Sequence, residues 1–337
     1  MLAAVSIGFL VLLVLLGWYV SQVLLVVFGG ILFAVFLDAL ARFLARWARL
    51  PRPVSLGGVV VALSALVVAG LWLGGPAVTG QVAALAERIP EDLARIRALL
   101  MDTRWGRLLL EAAPGPELVV PAPGDILGRI SGVFSTTLGV LTNLTLIVLI
   151  GVYLAAEPGH YTGGLLHLLP RPARERGAQI LEALGHALRW WLVGRAVSMA
   201  AVGVLTSLGL WLIGMPLVLA LGLIAGLFSF VPYIGPIVSA LPAVLIGLVQ
   251  GPLMALYVVA VYAVVQFIEG NLITPITQER VVALPPAVLL TAQVMMGVLF
   301  GLMGLLLATP LTVAVIVLIQ MLYVQDVLGD RVRVLGE

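Results

Sequence analysis

The 337-residue chain contains no cysteine, which excludes disulfides, thiolate metal sites and cysteine nucleophiles together. It also contains no lysine, so all 18 basic residues are arginine. A phosphate loop of the Gly-x-x-x-x-Gly-Lys-[Ser/Thr] type is therefore impossible, and nucleotide hydrolysis by that route goes with it. Neither His-Glu-x-x-His nor Gly-x-Ser-x-Gly occurs, so the reading is of a non-enzyme. His160, His167 and His186 follow no metal-ligand spacing, and no bound cofactor is expected. The net charge of +2 offers nucleic acid no basic field.

Charge of either sign is scarce, at 10% of residues, whereas 62% are apolar and mean hydropathy is +1.19. Soluble domains are about half apolar and a quarter charged, so the solvent and first partner of this chain is the lipid bilayer. In lipid every backbone amide must be bonded internally, which leaves helices or closed barrels. The apolar runs are long and continuous rather than alternating, which selects helices. The expected fold class is all-α, a polytopic membrane protein with about eight transmembrane segments.

The N-terminus lacks a basic flank, and the run from Leu2 to Val20 exceeds a signal-peptide core, so it reads as a retained first span. A second span covers Val23 to Leu40, with a tight hairpin at Ser21-Gln22 between them. Arg42, Arg46, Arg49 and Arg52 follow, uncompensated after Asp38, and assign that loop to the cytoplasm. Span three, Val54 to Leu73, completes an N-terminal region over 1–75, and its Gly70-x-x-x-Gly74 spacing permits close helix contact. Residues 76–130 form an extracytoplasmic insertion, because from Pro76 to Arg129 six arginines face seven acids. Within it Leu85, Ile89, Leu93, Ile96 and Leu100 share one helical face. Span four, in 131–156, carries Asn143, which must face protein or a wet cavity. Residues 157–195 are again Arg-rich and read as a cytoplasmic amphipathic segment with Trp190-Trp191 as interfacial anchors. A transmembrane core over 196–325 and a cytoplasmic tail over 326–337 complete the chain, with both termini cytoplasmic.

The core contains two interrupted apolar runs. Leu217 to Val249 is broken by Val-Pro-Tyr-Ile-Gly-Pro, where Pro232 and Pro236 lack amide donors and Gly235 is free to turn. Pro286 to Val324 is far longer than one crossing of about 30 Å and is expected to break at Ala308-Thr309-Pro310. Gly222-x-x-x-Gly226 precedes the first break and Gly297-x-x-x-Gly301 the second. Each run is a Gly-lined arm, a break and a return arm, the arrangement from which secondary transporters build midplane sites. Between them, Gln266, Glu269 and Asn271 lie within six residues, ahead of Pro275. Glu269 and Gln266 share a helical face. A carboxylate at membrane depth is costly unless paired or wet, and here it could take a proton or sodium ion, with the amides binding a hydroxylated solute. Arg195, near a span end, is expected to snorkel to the interface.

Phe230-Val-Pro-Tyr-Ile-Gly-Pro236, Gln266-x-x-Glu269-Gly-Asn271-x-x-x-Pro275, Leu284-Pro-Pro286 and Ala308-Thr-Pro-Leu311 occur in the order and spacing of the autoinducer-2 exporter family of bacterial membrane proteins. The chain resembles that family over most of its length, most specifically in its last 120 residues or so. The resemblance implies a secondary transporter of the inner membrane, homo-oligomeric, exporting the autoinducer-2 quorum-sensing signal or acting as a sodium/proton antiporter. It places Pro232, Gly235, Pro236, Gln266, Glu269, Asn271 and Pro275 in the solute or ion pathway. Tyr233, Asn143, Thr309 and Pro310 join them from the pattern of breaks and intramembrane polar groups. The competing function is a membrane scaffold that binds a partner through its external helix.

Overall fold

The computed structural model describes the backbone of residues 2–69, 72, 80, 125–278 and 285–330, with side chains for 20–66, 68, 69, 72, 80, 139, 142–276 and 285–330. The external helical face at Leu85–Leu100, the Gly70/Gly74 spacing, Arg280 and the tail arginines lie outside the described residues. All regular structure among the described residues is helical: α1 Leu2–Ala48, α2 Arg52–Ala69, α3 Asp125–Ala156, α4 Pro158–His167, α5 Arg174–Leu212, α6 Val218–Phe228, α7 Ile234–Gln250, α8 Pro252–Ile268, α9 Thr274–Gln278 and α10 Pro286–Leu318. Two π-helical segments, Glu269–Ile273 and Ile319–Gln325, extend α8 and α10.

The surface is apolar, as the hydropathy requires. On α8 the buried positions are Ala255, Val258, Tyr262 and Val265, a three-four-three spacing that forms one stripe. Leu253, Leu256, Val259, Val264 and Phe267 are exposed on the rest of the same helix. An apolar residue on the outer face of an apolar helix is unfavourable in water and natural in lipid. By length and composition four described segments can cross a membrane: Val20–Ala48, Arg171–Leu212, Pro252–Ile276 and Pro286–Gln325. A fifth candidate is the pair Thr142–Ala156 and Pro158–His167, bent by 86° where Pro158 ends the ladder of α3. The protein is thus an all-α, multi-pass membrane protein.

Two compact units divide the chain, each built from separate stretches. The first comprises residues 1–62, 139–193 and 280–337, the second 63–138 and 194–279.

In the first unit α1 and α3 meet through glycine. A Cβ at Gly30 would lie 2.5 Å from Ile150, and one at Gly151 would lie 2.6 Å from Phe33 and 3.0 Å from the Gly30 carbonyl oxygen. No larger residue fits that crossing. α10 is folded back on itself at Gly301, whose φ of 61° and ψ of −144° are not helical. Gln293 Nε2 stands 3.5 Å from Thr309 Oγ1, although 16 residues of straight helix would separate them by about 24 Å. A Cβ at Gly304 would overlap the Met296 carbonyl oxygen, which places the two arms in direct backbone contact.

The second unit has a core of Val202, Leu210, Leu221, Ala225, Ala243, Ile246, Val258, Tyr262 and Val265. The Gly222/Gly226 arm packs on α5: a Cβ at Gly226 would lie 2.9 Å from the Met199 carbonyl oxygen and 3.1 Å from Gly203 Cα. α6 has 11 residues, about 16 Å of helix, and spans only half of a hydrocarbon core. α7 then returns from the break, and Gly251, at φ 140°, turns the chain into α8.

Four expectations change. α1 runs unbroken through Ser21-Gln22, because neither residue interrupts a helix and no Gly or Pro is there to force a turn. The inward placement of the N-terminus loses the hairpin it required. The amphipathic stretch Ala178–Trp191 and span five are one continuous helix, α5. Trp190 is exposed as an interfacial anchor should be, but Trp191 is buried. The second break falls at Gly301 rather than at Thr309-Pro310: the fold-back is made at a positive φ that glycine adopts freely, whereas Pro310, held near −65°, sits within the helix of the return arm.

Candidate functional site

The break between α6 and α7 is a strained turn. Ser229 Oγ donates to the Gly226 carbonyl at 2.7 Å, and Val231 N–H donates to Phe228 O at 3.0 Å. Ile234 N–H donates to Pro232 O at 2.7 Å, closing a three-residue turn over Tyr233, whose φ is 63° and ψ −56°. These are the dihedrals of the uncommon γ-turn, unfavourable for a residue with a Cβ. Gly235 follows, buried, where a side chain would overlap the Phe228 carbonyl oxygen. Pro236 fits the first turn of α7, where no helical amide donor is needed. Pro232, Tyr233, Gly235 and Pro236 therefore act together as one reversal of the chain.

Arg195 faces that turn from α5. It is only 5% exposed, and its Nε donates to the Phe230 carbonyl at 3.1 Å. Its Nη1 lies 3.5 Å from Glu269 Oε1, and Thr274 Oγ1 donates to the same oxygen at 3.2 Å. The guanidinium thus joins the turn before α7 to the π segment after α8. A buried arginine without an anion would cost several kcal/mol, and the pair stands only because both charges are present. The pairing also corrects the snorkelling expectation: α5 continues past residue 195 in both directions, so this side chain is enclosed by its own unit.

Glu269 opens the π segment Glu269–Ile273. Pro275 supplies no amide to the helix ladder, and the chain absorbs the missing bond by widening locally instead of stopping, a distortion frequent at functional sites. Gln266 is half-buried one turn before Glu269. Asn271 is exposed, and its Nδ2 donates to the Phe267 carbonyl at 2.9 Å, which serves the distorted helix rather than the carboxylate.

The remaining expected site residues belong to the first unit. Asn143 is half-buried on α3. Thr309 and Pro310 are buried in the return arm of α10, with Thr309 facing Gln293. Thr274 and Gln293 were not among the expected site residues, Phe230 stood only as the first residue of its motif, and Arg195 was expected at the interface. One signal was available for Arg195, an arginine and an acid each stranded in apolar surroundings and both in need of a partner. Beside it, Ser198 is fully buried with its Oγ unpartnered among the described residues, as is Thr206 Oγ1 two turns further along α5.

Within the second unit of this multi-pass helical protein, a buried ion pair is thus tied to a strained reversal of the chain. The sequence profile of the AI-2E family of transporters matches residues 7–323, and the chain belongs to that family. It is 26% identical over 298 residues to YueF of Bacillus subtilis (strain 168), covering 84% of this chain and 79% of that one. It is 27% identical over 296 residues to YrrI of the same organism, covering 85% and 84%. Both are named as candidate transport proteins. It is also 21% identical over 318 residues to the AI-2 transport protein TqsA of Escherichia coli (strain K12), covering 92% and 89%.

Proposed function

We propose that this protein is a secondary transporter that exports a small polar solute of the kind for which TqsA is named, driven by a proton or sodium gradient. One observation carries the reading: Arg195 is held between Glu269 and the Phe230 carbonyl. Protonation of Glu269, or a sodium ion bound to it, removes the anion that makes a buried Arg195 tolerable. The guanidinium must then find another acceptor or water, and either outcome loosens its hold on the strained turn at Tyr233. Coupling consists of that exchange. A hydroxylated solute entering beside α5 would meet the buried hydroxyls of Ser198 and Thr206, both in need of partners. In this reading the protein is a homo-oligomer of the bacterial inner membrane with the Arg-rich junction of α1 and α2, Arg42 to Arg52, in the cytoplasm.

The test is flux in proteoliposomes loaded with purified protein, across sodium, protons and small polyols. Gradient-driven flux of a polar solute, lost in Glu269→Gln with the protein still folded, is the expected result. Full activity of that variant removes Glu269 from coupling.

A further inference from the structure

A second charged cluster lies in the first unit, where the proposed transport cycle makes no use of it. Three arginines converge on Asp38 of α1, which is their one carboxylate partner among the described residues. Arg42 Nε is 2.7 Å from Oδ2, Arg189 Nη2 is 3.3 Å from the same oxygen, and Arg52 Nη2 is 2.9 Å from Oδ1. The supposedly uncompensated basic loop is thus organised around one carboxylate, which neutralises one guanidinium of the three. Arg42 and Arg189 share a single oxygen, so their like charges are forced together, and Arg46 adds to the repulsion on Arg189.

Two further observations indicate what is missing. Arg189 Nε is buried and has no acceptor among the described residues, an arrangement folded proteins rarely leave unfilled. Arg42 and Arg52 are half exposed, so the cluster opens outward. Around it Phe43 and Trp47, one helical turn apart on α1, and Trp190, next to Arg189, are 71%, 80% and 47% exposed. Exposed aromatic rings beside arginines mark the depth at which acyl chains give way to headgroups.

We propose that Arg42, Arg52 and Arg189 form a binding site for the phosphodiester of an anionic phospholipid, whose acyl chains lie along Phe43, Trp47 and Trp190. The guanidinium forks match phosphate oxygens in pairs, and the lipid supplies the negative charge that Asp38 alone does not. A free phosphate offers the same oxygens but no chains to cover the aromatic face.

Purified full-length protein in detergent is titrated with dioleoylphosphatidylglycerol, dioleoylphosphatidylcholine or inorganic phosphate, and lipid retention is read by native mass spectrometry alongside thermal unfolding. The variant is Arg42→Gln/Arg52→Gln, which keeps the Arg189–Asp38 pair. Phosphatidylglycerol is expected to bind about tenfold more tightly than phosphatidylcholine, a difference of about 1.4 kcal/mol, the preference vanishing in the double variant. Equal retention of the two lipids overturns the proposal, as does an unchanged preference in the variant. Stabilisation by inorganic phosphate equal to that by phosphatidylglycerol overturns the lipid assignment. Should the double variant not fold, Arg52→Gln alone is the test, with a weakened preference expected and an unaltered one counting against the site.

Discussion

Arg195 and Glu269 stand 74 positions apart in the chain and meet at 3.5 Å, where α5 passes the end of α8. That separation lies at the outer edge of hydrogen-bond reach, so the pair is an electrostatic association rather than a tight clamp. In the proposed cycle the pair is released and re-formed, which a loose association permits more readily.

Removing either partner alone leaves the other charge stranded. Arg195→Gln and Glu269→Gln are each expected to destabilise the protein by roughly 3–5 kcal/mol if the site stays dry, Glu269→Gln the more, since it strands Arg195, the more deeply buried of the two charges. The double variant should recover much of that loss without recovering transport. Thermal unfolding in detergent, paired with vesicle flux, reads both. A double variant no more stable than the singles would mean that the two charges do not depend on each other.

The turn at Tyr233 carries its own expectation. Its dihedrals suit glycine, so Tyr233→Gly should relieve about 1–3 kcal/mol of backbone strain, offset in part by the greater freedom of glycine in the unfolded chain. Tyr233 is 45% exposed, so little packing is lost. A raised unfolding temperature with reduced flux is the expected combination. A lowered temperature would show that the turn holds no releasable strain.

Helix contact between α1 and α3 offers a purely structural check. Gly30→Val places a side chain against Ile150, where even a Cβ has no room, and should cost about 1–3 kcal/mol or push the helices apart. Gly57, where a Cβ meets nothing within 4 Å, is the control: Gly57→Ala should be neutral or slightly stabilising in thermal unfolding.

The class of fold was legible because lipid leaves so few choices: once the runs were long, apolar and continuous, helices followed from backbone hydrogen bonding alone. The first reversal was legible too, since Pro232, Gly235 and Pro236 mark a place where no helix ladder can close. Position of the second was not, because proline was read as the cause of a reversal when its fixed φ can only accompany one. Gly301 carries the positive φ, and in a chain with 37 glycines a single one does not stand out. The Arg195–Glu269 pair stayed hidden for a different reason. Local spacing ties Glu269 to Gln266 and Asn271, whereas its true partner comes from another helix, and only packing brings them together.

The fold-back at Gly301 can be tested chemically, and the absence of native cysteine makes the background clean. Gln293→Cys and Thr309→Cys in one chain replace side chains that approach to 3.5 Å. Mild oxidation should join them within the monomer and protect both from maleimide, whereas each single variant stays free to react on unfolding. The geometry that permits a bridge is narrow, with Cβ atoms about 3.5–4.5 Å apart, so Gln293→Cys with Leu305→Cys, one turn along the return arm, serves as the mismatched pair. Adding Gly301→Ala to the matched pair forces a Cβ into a conformation L-residues avoid and should reduce the bridged fraction. Free reaction of both cysteines of the matched pair with maleimide in the folded protein, together with failure to oxidise, would mean that the two arms of α10 do not lie against each other.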